Sequence, residues 1–367
     1  MLRKLVIGAL WAAIVSTSGA YAAATSDSAA LPAEFTAKSN YRLDYSDLEA
    51  VLRGSVLEMG RSTHQRAPKP TKSTGSNMRL GNPKPSRLEG NRVMLHEYGK
   101  QQKDGIAAVR DDLLRVPERL PIEKLSKNEQ LAYWLNLHNV IVLSKVSEIY
   151  PITMLDNSFN AASDTSLLDD REYEWMGQKI SLADIQNHVL KNWADPVVIY
   201  GFYLGAVGTP NIRNSAYTGA NVHAALKDNA EDFINSVRGT QVWNKTKLRV
   251  STYYEIMAQK FPNFEVDLKA HIRKYAANRL KNRLKTVKRM TVDIDDWHIA
   301  DLYNGNFGEL GGTYAGTVTD GYGNSLKSAL PEHVTDLLND RVTKLSRQHG
   351  TVGVEEVSKK KKNDKNR

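Results

Sequence analysis

Glu129, Asn136, His138 and Asn139 are polar side chains set in a run that is otherwise almost wholly apolar, from Leu131-Ala132-Tyr133-Trp134-Leu135 to Val140-Ile141-Val142-Leu143. A helix that is apolar nearly all round belongs inside a core. Buried polar groups there must find partners or cost free energy. At about 100° per residue, Glu129 and Asn136 nearly superimpose and Asn139 lies about 60° away, so the three form one polar stripe. His138 projects about 100° from Asn139, towards the line of Leu131, Leu135 and Val142. Two readings follow. In one, Glu129, Asn136 and Asn139 line a pocket and His138 acts as an acid/base group, with Glu129 as its companion. In the other, the amides bridge backbone groups of neighbouring segments and His138 is a satisfied core histidine.

A second set, Tyr203, Arg213, Ser215 and Tyr217, falls on a turn-rich stretch, where scaffold-held loops concentrate binding residues. Tyr203, Arg213 and Tyr217 are binding candidates beside Asn136 and Asn139. Ser215 could pair with His138 or His223, but it lacks the Gly-x-Ser-x-Gly setting of an exposed nucleophile. Asp293, Asp295, Asp296, His298 and Asp301 have the composition of a cation site without the EF-hand order of ligands, and read as solvated surface acids. The glycines of 305–324 match neither phosphate-binding fingerprint. With no cysteine, thiolate nucleophiles, disulfides and cysteine-based metal sites are excluded. No metal and no cofactor is expected.

The central run must be a helix from about 128 to 150: Ser126 with Glu129 forms a capping-box signature and Pro151 ends it. Helices are also expected over 41–57, 93–102, 106–114, 182–192 behind a Ser181 cap, 219–237, 251–260 and 331–345. The stretch 266–287 carries Leu268, Ile272, Ala276, Leu280 and Leu284 at i+4 spacing and reads as one basic amphipathic helix. A hairpin is expected over 175–180, a buried strand over 197–204, and short strands near 242–244 and 247–250. Residues 61–92, rich in proline and glycine, read as a long basic surface loop. With no βαβ alternation, the fold class is α+β: a helix-rich single domain around a buried central helix, with a small sheet of short strands.

Three segments then carry a resemblance. Glu129-Gln130-Leu131-Ala132-Tyr133-Trp134-Leu135-Asn136-Leu137-His138-Asn139, Ile180-Ser181-Leu182-Ala183-Asp184-Ile185, and Asp195-Pro196 followed by Ala216-Tyr217-Thr218-Gly219-Ala220-Asn221-Val222 together resemble the domain-of-unknown-function family 547, over roughly residues 120–260. Many members look as though they carry a cysteine just after the Asp-Pro segment; here the stretch is Leu204-Gly205-Ala206-Val207-Gly208-Thr209-Pro210. The chain is identified as a divergent, cysteine-free member, and no thiol-dependent property carries over. The resemblance implies no reaction.

Arg3 and Lys4, the apolar run 5–15 and Ala20-Tyr21-Ala22 have the layout of a secretory signal peptide over 1–22. The organisation expected is a flexible lead-in over 23–40, one globular domain over 41–345, and a basic disordered tail over 346–367. No transmembrane segment should remain after signal removal, placing the protein in the periplasm or outside the cell. The net charge of +9 is uneven. Residues 61–92 hold eight Lys/Arg against one acid, 265–289 nine against two, and 358–367 six against one, leaving an acidic remainder. Two function classes are compatible with this. One is a non-catalytic binding or scaffold protein of the cell envelope or extracellular space, docking on an anionic surface or polymer through its basic segments. The other is a thiol-independent hydrolase or transferase with a pocket on the central helix. Nucleic acid is a less natural partner for an exported chain.

Overall fold

The computed structural model describes residues 29–69, 81–159, 166–305 and 330–348, with a strand pair at 318–319 and 325–326. The expected signal peptide, most of the glycine-rich stretch and nearly all of the basic tail lie outside the described residues. In chain order the helices are α1 (Ser46–Ser55), α2 (Lys100–Leu114), α3 (Val116–Arg119), α4 (Lys127–Ile149), α5 (Asp156–Phe159), α6 (Leu182–Asn192), α7 (Val222–Ile234), α8 (Tyr253–Ile256), α9 (Phe264–Tyr275), α10 (Asn278–Leu284) and α11 (Glu332–Gln348). Helix α4 is the axle, with α2, α6 and α7 packed around it. Its Ser126 cap accepts from the Glu129 N–H at 3.3 Å, and every residue from Glu129 to Ser144 is buried. The architecture is the helix-rich α+β domain that the apolar run implied.

The strands are short: β1 (Val56–Leu57), β2 (Arg92–Val93), β3 (Tyr173–Trp175), β4 (Gln178–Ile180), β5 (Thr240–Trp243), β6 (Lys247–Ser251), β7 (Arg289–Ile294), β8 (Val318–Thr319) and β9 (Ser325–Leu326). The β3–β4 turn puts Met176 and Gly177 at positive φ, the conformation a two-residue hairpin needs. Strands β5 and β6 form an antiparallel hairpin, and β7 adds to β6 in parallel after α8, α9 and α10. The three-stranded sheet therefore contains one helical crossover that the sequence pattern did not reveal. Its intervening helices are apolar on one side only and give no continuous apolar strand to read.

Four expected elements differ. Residues 93–102 and 106–114 are not two helices: Arg92–Val93 is β2, Leu95–Glu97 is a 3₁₀ turn, and one helix, α2, runs from Lys100 through Leu114. Residues 197–204 are not a strand: Pro196–Gly201 is a 3₁₀ helix whose first N–H, that of Val197, is capped by the Asp195 carboxylate at 2.9 Å. Side chains, not a neighbouring strand, take the carbonyls of Ile199, Tyr200 and Gly201: Tyr253, Asn229 and Asn139 donate to them. The basic amphipathic stretch is two helices, broken where Asn235 inserts, donating to the Tyr275 carbonyl at 3.0 Å and accepting from the Ala277 N–H at 2.6 Å. The second half of the 61–92 loop is buried, not on the surface, including Asn82, Ser86, Arg87, Glu89 and Arg92. The Arg92 guanidinium curls that loop round itself by donating to the carbonyls of Arg87, Glu89 and Gly90, each at 2.7 Å. Burial lowers the Arg92 pKa to about 10, so it remains a cation. Among the described residues no helix is long and apolar enough to cross a membrane.

Candidate functional site

The polar stripe on α4 faces the irregular segment from the 3₁₀ helix to α7, and each member bridges backbone. Glu129 accepts from the N–H groups of Leu43 at 3.1 Å and Gly219 at 2.8 Å. Asn136 donates to the Tyr217 carbonyl at 2.7 Å and accepts from the Tyr217 N–H at 3.0 Å. Asn139 donates to the Gly201 carbonyl at 2.9 Å and accepts from the Tyr203 N–H at 3.1 Å. These are the hydrogen bonds a strand pairing would have supplied, made by side chains instead.

His138 belongs to the same network, although helical angles placed it elsewhere. Its Nδ1 lies 3.0 Å from Asn139 Oδ1, and its Nε2 lies 3.0 Å from the Gln186 amide nitrogen. One tautomer satisfies both contacts: Nδ1–H donates to Asn139 and Nε2 accepts from Gln186. Burial lowers the His138 pKa to about 4, so the ring is neutral near pH 7 and both nitrogens are occupied. An acid/base group needs a nitrogen that can reach a substrate. His138 has none.

The second set is divided. Tyr203 is buried with its hydroxyl unpartnered, and Tyr217 is buried with its hydroxyl accepting from Asn229 at 3.2 Å. Arg213 reaches the Ala225 carbonyl. The Ser215 pairing is not formed: His223 meets Asn128 at 2.8 Å and His138 is engaged as above. The solvated-acid reading fails for two of its members, because Asp296 and Asp301 are buried. Asp296 accepts from Asn82 at 3.1 Å on each oxygen, from Ser86 at 2.5 Å and from His298 Nδ1 at 2.9 Å. Burial alone would raise its pKa, but these bonds outweigh it and hold the carboxyl below the usual range. Asp293 instead pairs with Lys247 and Arg249 on β6. Among the described residues no three His, Cys, Asp or Glu side chains come together as a metal site. The Asp296 latch was missed because Asn82 and Ser86 sit on a proline-rich loop with no periodicity. The Asp-x-His spacing was its one local trace.

What remains open to solvent is charge. Between residues 279 and 289 there are six Lys/Arg and no acid, and all six are exposed. Leu280 and Leu284 anchor α10 to the core and turn Arg279, Lys281, Arg283 and Lys285 outward. Among the described residues none of the six takes part in an ion pair. The face continues onto the 61–69 loop, where the exposed Arg66 guanidinium lies 5.4 Å from the ring centre of the half-exposed Trp243. Burial lowers the His64 pKa against the opposing hydrogen bond to the Thr240 carbonyl, and repulsion from Arg283 and Arg279 adds to the lowering.

Residues 122–234 match the model of a family described as a protein of unknown function, DUF547. This segment is similar to the DUF547 family. No curated protein and no solved structure matches the chain. The DUF547 segment runs from just before α4 to the end of α7, somewhat shorter than the 120–260 expected. It contains every partner in the α4 network except Leu43. The basic face lies outside it.

Proposed function

We propose that this is an exported, non-catalytic binding protein of the cell envelope or extracellular space, engaging an anionic polymer through the face carried by α10. The observation that carries the reading is the run of six exposed cations without an acid partner over 279–289. Clustered like charges cost self-repulsion, and a polyanion removes that cost while releasing its own counterions. The rival reading, a thiol-independent hydrolase or transferase on α4, is weakened by the occupation of both His138 nitrogens. A signal peptide over 1–22 would place the face in contact with envelope glycans and phosphopolymers.

The test is charge reversal. Lys281→Glu with Lys285→Glu should weaken binding of labelled oligogalacturonate by about thirtyfold or more, from about 1 kcal/mol per cation near an anionic surface. Both side chains are exposed and unpaired, so the melting temperature should be unchanged. No measurable binding of either oligogalacturonate or polyphosphate by the unaltered chain, or equal affinity in the variant, overturns the reading.

A further inference from the structure

A cavity of about 280 Å³ lies between the 63–68 loop, residues 88–89 and helix α11. The volume is just under the roughly 300 Å³ at which sites for drug-sized ligands begin, which suits one small ring. Asp336, Asn339, Asp340 and Lys344 fall on one side of α11, and this polar side, not an apolar one, lines the cavity.

The floor is fixed by bonds among buried groups. Lys344, 3% exposed, donates to the Leu88 carbonyl at 2.8 Å and pairs with Asp340 at 2.7 Å and Glu89 at 3.7 Å. Glu89, also 3% exposed, accepts from Ser62 at 2.7 Å. Arg87 pairs with Asp336 at 3.0 Å, and its other terminal nitrogen is buried without a partner. In the lining, the carboxyl groups of Glu89, Asp336 and Asp340 face two cations, Lys344 and Arg66, and Arg87 behind the lining pairs with Asp336, so the charges balance only through a group outside the cavity. Around this floor the side chains of Thr63, Gln65 and Asn339 engage nothing else among the described residues. Together they supply hydroxyl and amide donors and acceptors, while Ala67, Pro68 and Leu88 supply apolar contact.

A cavity whose charges balance through Arg87, with donors and acceptors mixed at close range next to small apolar patches, matches a ring bearing several hydroxyls on one side and C–H groups on the other. We infer that it takes a sugar ring, and that the anionic polymer is a glycan. The inference rests on the anionic-polymer reading and narrows it. Arg66 joins the two surfaces: it lines the cavity and also lies over Trp243 beside the basic face. A uronate polymer would place a ring in the cavity and its neighbouring carboxylates on α10.

The experiment compares oligogalacturonate with polyphosphate of matched total charge, using the full chain and a Gln65→Ala, Asn339→Ala double variant. The unaltered chain should bind the glycan at least about tenfold more tightly. The double variant should lose that preference and keep its polyphosphate affinity, because neither side chain holds the fold. Equal binding of both polymers, or a double variant that still prefers the glycan, overturns the cavity inference while the basic-face reading stands. Failure to bind either polymer overturns both.

Discussion

Asn139→Ala is expected to lower unfolding free energy by about 3–5 kcal/mol, because it strands three buried groups at about 1–3 kcal/mol each. The Gly201 carbonyl loses its donor, the Tyr203 N–H loses its acceptor, and the His138 Nδ1–H loses its acceptor as well. Water offers little compensation, since Tyr203 is 2% and His138 0% exposed and Gly201 is buried. A urea titration with an unchanged slope would read the loss directly. Glu129→Gln gives a finer check. The carboxylate serves two N–H donors, whereas an amide offers one acceptor and turns its NH₂ against the other donor. A loss of roughly 2 kcal/mol is expected for that near-isosteric change. If either variant kept full stability while abolishing function, the network would have to be a site and not a joint.

The second large effect is acid lability well above the carboxylate range. Burial lowers the pKa of His138, His188 and His271 from 6.5 to about 4 in each case. For His188 the nearby Lys191 adds to the lowering, and for His271 Lys274 does so against the opposing pull of Asp195. The folded pKa lies below the unfolded one, so the stabilisation is complete above about 6.5. It falls as the unfolded chain binds protons that the folded chain refuses, and the loss is complete once pH drops below about 4. At about pH 5 each histidine should have cost about 2 kcal/mol, or about 6 kcal/mol for the three. A domain of ordinary stability would lose much of its margin over that interval. His271→Phe should flatten the profile, since the ring stacks on Tyr200 and phenylalanine keeps that contact without a proton to bind. A urea midpoint constant from pH 7 to 5 would contradict the burial of these rings.

The sequence made α4, its cap and its family plain because long apolar runs and capping residues are local signals. The Ser181 cap was legible for the same reason; the structure adds that Asp184 accepts back from the Ser181 N–H at 3.0 Å while Ser181 accepts from the Asp184 N–H at 3.1 Å. The stripe of Glu129, Asn136 and Asn139 also followed from helical geometry, but its meaning did not. Whether an inward amide meets a substrate or the backbone of Tyr217 depends on where residues 201–219 run, and that segment has no period. It looked like a strand because Val197-Val198-Ile199-Tyr200 is apolar and β-branched. Instead, side chains of Asn139, Asn229 and Tyr253 claimed its carbonyls. The basic loop misled in the opposite way. Arg87 and Arg92 counted as surface charge, yet one is paired with Asp336 and the other is caged by carbonyls. Charge runs locate cations along a chain; only packing decides which remain free. The helix break at Ala276, made by Asn235 from forty residues away, is invisible to any local pattern.

The proposed function puts architecture in the segment that matches DUF547 and recognition on α10 and its neighbours. Salt titration of oligogalacturonate binding tests it most directly, comparing the unaltered chain with an Arg279→Gln, Lys281→Gln variant. The logarithm of the association constant should fall linearly with the logarithm of salt concentration. The slope should become shallower by about one for each cation removed, with thermal stability unchanged. Identical slopes and affinities for the two proteins would contradict the assignment of binding to this face.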